Sequence, residues 1–537
     1  MDAVPASRRV FVDSPNVRYE DDQIIADYRY SANEVTKRPN GVVHVKPVEK
    51  RLQIRTNRKV NRLGLMMVGW GGNNGSTLTA AIEAHRQGIT WKTRQGLRKP
   101  NWLGSLTQAS TVQIGLDTTD GSPVYVPFKD LLPTVDPKDI IIDGWDISSA
   151  DLNESVRRAA VLDVGLQDQL EPYLKFCKPK PSVYKEKFIA LNQMGRADNL
   201  IEASDQKVLD QIREDIRQMK SKADTVVVVW TANTECLCPV LEGVHDTADN
   251  LLAAIANGHE DVSPSALFAV ASILEKVPFI NGSPQNTFVP GVRELAQREK
   301  SWIAGDDFKT GQTRMKSVLV DFLVSCGIKP VAIASYNHLG NNDGKNLSSH
   351  QQFLAKKASK TNVIDDAVLS NDILYEPGEK VDHTVIIEYL PYLGDSKRAM
   401  DEYTSEIMFG GTNTIVMHNV CEDSLLAAPV ILDLAILTEL ATRISFRSVD
   451  VKDSEFQPFT TELSILSYMF KAPIIQEGGH VVNALNKQRA SILNIVRACL
   501  GLAPEHHMDL ETKIPPFVLN DPNAPADEHR KLLQPFY

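Results

Sequence analysis

The 537-residue chain is too long for one hydrophobic core, so two or three domains are expected. Its 42% apolar and 23% charged residues fall in the ordinary globular range, which argues against wholesale disorder. A formal net charge of -10 speaks against nucleic acid as the main partner, while a small phosphorylated ligand needs only a local cluster of donors. The first residues show no apolar core followed by a small-residue cleavage site, and no apolar run approaches the ~20 residues of a membrane span. A cytoplasmic protein without a membrane partner is the expectation. Six cysteines at positions 177, 236, 238, 326, 421 and 499 show no zinc spacing and read as reduced thiols.

In chain order, residues 1–60 are polar with single apolar residues and strand-like pieces such as 41–48, and read as an arm that packs onto something else. At residue 63 a short apolar run (63–68) leads into a glycine-rich turn and a helix over 76–86, the opening of a βα unit. Further buried strands are predicted at 139–142, 225–230, 279–280 and 301–304, separated by helices that include 152–160, 206–220, 248–257 and 263–274. This alternation predicts a parallel sheet covered on both faces. A helix over 312–325, strands at 330–335, 384–389 and 414–418, and helices over 425–445 and 487–500 complete the pattern. The tail from Pro504, rich in Pro and charge, is expected to wrap the surface.

The turn GWGGNNGST runs from Gly69 to Thr77 between predicted strand and predicted helix. Glycines there let the backbone approach a pyrophosphate, and the helix N-terminus offers N–H groups to its charge. A standard G-x-G-x-x-G starting at Gly69 and Gly71 would place its last glycine at Asn74, whereas here it is Gly75, one residue later. For the ribose-binding acid the residues alone leave Asp117, Asp143 and Asp146 open, each with a turn or helix cap as the plain alternative.

Between 231 and 423 the chain carries TANTE, NGSPQNTFVPG, GDDFKTGQT, SYNHLGNNDGKNL, GDSKRAMDEY and HNVCEDSLLA, in that order. With the glycine turn, this series resembles the myo-inositol-1-phosphate synthase family over nearly the whole chain from about residue 60. The departures are Thr310, where some relatives carry Ser, and Cys236-Leu-Cys238 after TANTE. The resemblance implies an α/β fold: a Rossmann-like NAD-binding domain with a second α/β catalytic and tetramerisation domain. The implied division is an arm at 1–60, the NAD-binding domain at 61–312, the second domain at 313–426, and a returning C-terminal segment at 427–537. It also implies a homotetramer that converts D-glucose 6-phosphate to 1D-myo-inositol 3-phosphate (also named 1L-myo-inositol 1-phosphate), the first step of inositol and hence of phospholipid biosynthesis. NAD oxidises carbon 5, the ketone enolises, carbon 6 attacks carbon 1, and the product is re-reduced.

By the same resemblance the cofactor is held by Gly69, Gly71, Gly72, Asn73, Asn74, Gly75, Asp146, Ser182, Gln193, Arg196, Thr231, Ala232, Asn233, Thr234, Gly282, Ser283, Asp307, Asn342 and Asp343. The Thr310 hydroxyl, backbone groups at Gly311 and Gln312, Leu339, Asn341 and Lys360 would cradle the substrate phosphate; Lys356, Lys360, Lys397 and Lys471 would carry the chemistry, with the catalytic acids Asp307, Asp395 and Asp423 orienting these lysines and the nicotinamide end. Lysine suits proton transfer because desolvation or a neighbouring cation brings an ammonium into the general-base range. Outside this context each such lysine reads as solvated surface, and 341–344 as a plain turn. No metal is expected, since His338, His418, Asp343 and Asp423 match no standard ligand spacing. Lys356 and Lys360, four apart, should share one helix face, opened by a capping box from Ser349 to Gln352. Two other readings remain: an ordinary phosphosugar dehydrogenase that releases NADH, and a non-catalytic dinucleotide-binding regulator.

Overall fold

The computed structural model describes residues 10–508 with Leu510, Lys513 and Ile514, so most of the expected tail lies outside the described residues. Two long antiparallel strands open the chain, β1 (Gln23–Lys37) and β2 (Val43–Asn57). Ile24, Ala26 and Ile54 at their base are buried, while Val35, Val43 and Val45 near the turn stay exposed.

The central sheet is built from β3 (Leu63–Val68), β4 (Ile141–Asp146), β5 (Thr225–Trp230), β6 (Phe279–Asn281) and β7 (Ile303–Ala304) with the two-residue strand Lys180–Pro181. Its order is Lys180–Pro181, β4, β3, β5, β6, β7, every neighbouring pair parallel. This is the 3-2-1-4-5-6 order of a doubly wound dinucleotide-binding sheet, which opens a crevice at the carboxyl ends of β3 and β5 where the order reverses. The apolar runs of β3 and β5 follow from cover on both faces. Leu63, Leu65, Met67, Val227 and Val229 enter one core, and Met66, Val68, Val226, Val228 and Trp230 enter the other. Helices α1 (Asn73–Arg86) and α2 (Leu152–Ala159) contribute to the first core, and α3 (Asp205–Lys220), α4 (Ala248–Ala256) and α5 (Pro264–Leu274) to the second.

The second unit begins with α6 (Gly311–Ser325), β8 (Lys329–Leu339), α7 (Asn342–Leu347) and α8 (His350–Thr361). Then come β9 (Asp382–Tyr389), β10 (Ser396–Ile407) and β11 (Gly411–Glu422). The sheet order is β9, β8, β10, β11, parallel between β8 and β9 and antiparallel elsewhere. Ile333, Val385, Ala399 and Tyr403 are buried on one face, while Tyr336, Ile386, Met400, Val416 and Val420 on the other are exposed.

The chain returns through α9 (Asp423–Thr442), which packs on α1, then β12 (Ile444–Ser448), which pairs with β2, and α10 (Leu485–Cys499). Two expectations change here. The helix expected over 425–445 stops at Thr442 because Ile444–Ser448 finds a strand partner far away in sequence. Against the expectation of no span-length apolar run, α9 is long and apolar enough to cross a membrane by length and composition, but most of it is buried inside the fold. Helix α1 starts at Asn73, three residues before the expected start, and β4 runs on through Gly144 to Asp146. At Gly144 a Cβ would stand 2.2 Å from the Met67 carbonyl oxygen, so the turn-like Asp-Gly pair is a strand position that needs close approach.

Candidate active site

The turn after β3 meets the crevice at the sheet's switch point. Gly69 adopts φ +86°, and a Cβ there would lie 2.6 Å from Ala232 Cα; at Gly75 it would lie 2.4 Å from the Trp70 carbonyl oxygen. Gly75 thus lets α1 pack on the strand end, the work of the fingerprint's last glycine, from one residue later. The N-cap of α1 is Gly72, which supplies no side-chain cap, and Gly72, Asn73 and Asn74 line the cleft, leaving a helix N-terminus free for an anion. The residues present therefore fit a dinucleotide.

The cleft encloses about 1350 Å³, its open mouth included, and brings together most of the expected residues. From the central sheet come Gly69, Asp146, Ser182, Arg196, Thr231, Ala232, Asn233, Thr234, Gly282 and Ser283. From beyond it come Asp307, Thr310, Leu339, Asn341, Asn342, Asp343, Lys356, Lys360, Lys397, Asp423 and Lys471. Of the three acids left open, Asp146 stands in the cleft, whereas Asp117 bonds Thr119 in an exposed hairpin and Asp143 lies against Lys180. Asp146 Oδ1 accepts from the Ser148 N–H at 2.9 Å and Arg196 Nη2 at 3.3 Å.

Six expected residues do not line the cleft. Gly71 packs toward Asp146 and Ser155, and Gly75 toward Trp70. Gln193 is buried and accepts from Asn342 Nδ2 at 3.0 Å, so it orients a lining residue. Gly311 opens α6 beneath Leu426 and Asn419. Gln312 is clamped by its amide to Asp401 and turns its oxygen to Lys360 Nζ at 3.3 Å. Asp395 is spent on contacts: its oxygens accept from the Ser424 N–H and hydroxyl, both at 2.8 Å, from Asn341 Nδ2 at 3.2 Å and from Asn73 Nδ2 at 3.3 Å. It ties the glycine turn to the second unit and is a positioning residue.

The chemistry concentrates around Asp307, which is 1% exposed and held at φ +62°. Its Oδ1 accepts from Lys356 Nζ and from Lys471 Nζ, each at 2.9 Å, and its Oδ2 from the Ser359 hydroxyl at 2.5 Å. Burial alone would raise its carboxyl, but the Lys356 and Lys471 ammonium groups win and hold it well below the usual carboxylate range. Burial pulls Lys356 down, yet Asp307, with Asp343 and Asp423, carries it above the ordinary lysine value. The expectation that a neighbouring cation lowers Lys356 is therefore reversed by Asp307, an acid that lies 49 residues away and not on its own helix. Lys471, buried and beside Lys356 and Lys397, is held down to about 8 although Asp307 opposes this. Lys360, 2% exposed, is lowered well below the ordinary value by burial and by the cations around it. Its Nζ donates to Asn337 Oδ1 at 2.8 Å. Lys397 stands 3.6 Å from Asp423, which burial raises but Lys397, Lys356, Lys471 and Lys360 bring below the usual range.

Lys356 and Lys360 do share the cleft face of α8, but the capping box does not form. Gln352 donates its amide to the Phe188 carbonyl oxygen, and Ser349 caps nothing. Sequence reasoning missed Phe308, whose ring fills the space where a Cβ on Gly282 would stand, and Ser424 and Ser359. Phe308 lay inside the block GDDFKTGQT; Ser359, three residues after Lys356, was the available signal for a partner on the same face.

These features define a dinucleotide-binding α/β enzyme whose cofactor turn opens onto a pocket of buried, acid-paired lysines. Comparison with known proteins makes the class particular. A family model described as myo-inositol-1-phosphate synthase matches residues 63–497. Inositol-3-phosphate synthase 1 of Homo sapiens is 58% identical over 511 residues, covering 95% of this chain and 91% of that protein. Inositol-3-phosphate synthase of Drosophila melanogaster is 56% identical over 502 residues, covering 93% and 89%. A crystal structure of inositol-3-phosphate synthase from Caenorhabditis elegans superposes with a TM-score of 0.92 at 47% identity, covering 94% of this chain and 99% of that one. The chain belongs to the myo-inositol-1-phosphate synthase family, and is an NAD-using isomerase of the intramolecular-lyase type.

Proposed function

We propose that the chain converts D-glucose 6-phosphate to 1D-myo-inositol 3-phosphate in this one cleft, in the cytoplasm, as a homotetramer. The observation that carries the reading is that Lys356, Lys360, Lys397 and Lys471 line the same cleft as the glycine turn, so redox and proton chemistry can act on one bound sugar. When bound, NAD supplies the oxidation at carbon 5 and the later reduction at that carbon, so it is needed only in catalytic amount. Two protons leave the substrate, from the carbon 5 hydroxyl and from carbon 6, and two return, to the oxygens at carbons 1 and 5. Lys471, held near 8, takes and returns protons at small cost near neutral pH. Lys356, fixed as an ammonium by Asp307, opposes charge developing on the sugar oxygens, and Lys397 serves beside it. Lys360, whose charged form burial and the surrounding lysines disfavour, is stabilised as an ammonium by a phosphate dianion beside Thr310 and Asn341.

The arm, two domains and returning segment bounded at 60, 312 and 426 are part of the same reading. So is the tetramer, supported by the open face of the β9-β8-β10-β11 sheet with Tyr336, Ile386, Met400, Val416 and Val420 exposed on it. The test follows absorbance at the reduced nicotinamide band and periodate-released phosphate together, with glucose 6-phosphate and NAD⁺. Phosphate release with no lasting absorbance is the expected result, and one NADH per product would instead mark a dehydrogenase.

A further inference from the structure

We propose that Asp401 is a positioning residue for the substrate: it accepts from the Gln312 amide, fixes that amide with its oxygen on Lys360, and so leaves one N–H of the ammonium for the cleft. The proposal rests on the reading of glucose 6-phosphate in this cleft. Asp401 lies on β10, directly opposite Ser335 of β8, and is fully buried. Alternation along the strands brings Asp401 and Tyr403 of β10 to the same buried face as Ser335 and Asn337 of β8. Helix α6 meets this face through Gln312 and Lys316, four residues apart, and α8 adds Lys360. All of these side chains are buried, so a donor or acceptor left without a partner here has little water to turn to.

The hydrogen bonds in this layer admit one arrangement of donors and acceptors. A carboxylate only accepts, so Asp401 Oδ1 takes the Gln312 Nε2–H, and Oδ2 takes the Tyr403 hydroxyl at 2.9 Å. Gln312 Oε1 must then face the other way, where Lys360 Nζ donates to it at 3.3 Å. Asn337 is fixed in the same manner. Its Nδ2 donates to the Ile386 carbonyl oxygen at 3.2 Å, which leaves Oδ1 to accept from Lys360 at 2.8 Å. An ammonium carries three N–H groups, and these two amide oxygens take two of them. Lys360 lines the cleft, so the third serves a phosphate oxygen there. Without Asp401 the Gln312 amide is free to turn its NH2 toward Lys360, which sets donor against donor beside a buried cation. The charge of Asp401 also reaches Lys316, whose Nζ donates to the Ser335 hydroxyl at 2.6 Å and meets His383 Nε2 at 2.8 Å. Its roles as acceptor and as charge are therefore separable only by a variant that keeps one of them.

The test is steady-state kinetics of inositol phosphate formation by the full-length enzyme, with calorimetric titration of NAD⁺ and thermal unfolding beside it. Asp401→Val removes the acceptor and suits a strand. Its KM for glucose 6-phosphate should rise about ten- to a hundredfold, the value of a hydrogen bond to a charged group, while kcat falls less and NAD⁺ affinity is unchanged. Asp401→Asn keeps an oxygen for Gln312 and turns its NH2 to the Tyr403 hydroxyl, so it should recover most of the loss in KM without restoring the charge. Added to Gln312→Ala, Asp401→Val should raise KM no further, because the amide through which it acts is gone. A purely structural acid would lower the thermal midpoint and leave KM unchanged, and that result overturns the proposal. So does an Asp401→Asn variant with a KM as high as that of Asp401→Val, or a full further rise in KM on Gln312→Ala. If Asp401→Val does not fold, Asp401→Ala takes its place. If neither folds, Asp401→Asn decides against wild type, and a KM raised about tenfold or more overturns the proposal. A wild type that turns over no glucose 6-phosphate overturns the proposed function, and this proposal with it.

Discussion

Replacing Asp307 by Asn removes one negative charge from between two ammonium groups while keeping the side-chain shape. At 2.9 Å and an effective dielectric of about 20, each Lys–Asp307 attraction is worth about 6 kcal/mol before desolvation, a ceiling of about four pKa units. Lys471 already sits near 8 with Asp307 in place, so its loss lowers Lys471 further, by one unit or more. Lys356, raised by the same acid, falls as well. Two effects on turnover result. The rate should drop about 10²–10³-fold because Lys356 no longer holds a firm charge at the developing oxyanion. The acid limb of kcat/KM, at an apparent pKa near 8 in the wild type as Lys471 loses its proton, should move to lower pH. A buried pair that loses one partner also costs about 3–5 kcal/mol, so the variant should melt earlier, and thermal unfolding is the control. The assay is inositol phosphate formation across pH 6 to 9.5 for both proteins. An acid limb that stays in place, or moves up, refutes the electrostatic coupling of Asp307 to Lys471.

Lys309 and Lys316, both buried, are held near 7 and near 8, and Lys471 near 8. Above these values the unfolded chain keeps protons that the folded chain lacks, so the stability of the ligand-free protein should rise with pH by about 1.4 kcal/mol per unit for each fully titrating amine. Thermal midpoints at about pH 7 and 8, below the ordinary thiol value from which the raised thiols Cys238 and Cys499 oppose the trend, should show the increase, and no increase would contradict the assigned shifts. Lys360→Ala should raise the KM for glucose 6-phosphate with a smaller change in kcat, whereas Lys356→Ala should remove turnover and still bind NAD⁺; near-normal kinetics in both would dismiss the α8 lysine face from the site. The double change Met400→Glu/Val416→Glu, at two exposed positions of the open sheet face, should lower the mass measured by light scattering without unfolding the protein. An unchanged tetrameric mass would move the interface elsewhere.

Much of the Rossmann-like unit could be read from the chain because its physics is local. Leu63–Val68 and Thr225–Trp230 are continuous apolar runs, which only a strand buried on both faces requires, and the glycines between strand and helix have a steric reason. Asp-Gly at 143–144 looked like a turn because close packing against Met67 is a tertiary fact. Ile444–Ser448 was hidden for the same reason: its partner, β2, lies almost 400 residues earlier. In the site, spacing could place Lys356 and Lys360 on one face, but not the acid that governs them. Asp307 reaches Lys356 across 49 residues and Lys471 across 164, and no period in the sequence encodes such a contact. The side-chain contacts of Gln312 and Asp395 are equally non-local: Gln312 accepts from Lys360, and Asp395 accepts from Asn341 and Asn73.

The proposal that one cleft oxidises and re-reduces the same carbon has a direct isotopic test. Glucose 6-phosphate carrying deuterium at carbon 5 is turned over with a small amount of NAD⁺ and an excess of unlabelled NADH in solution, and the inositol phosphate is weighed by mass spectrometry. A hydride that leaves carbon 5 and returns to it within the closed pocket keeps its deuterium, so the expected product retains one label through many turnovers per NAD⁺. Product that has lost the label to the solution NADH, or label that accumulates in reduced cofactor in step with substrate consumed, would contradict it.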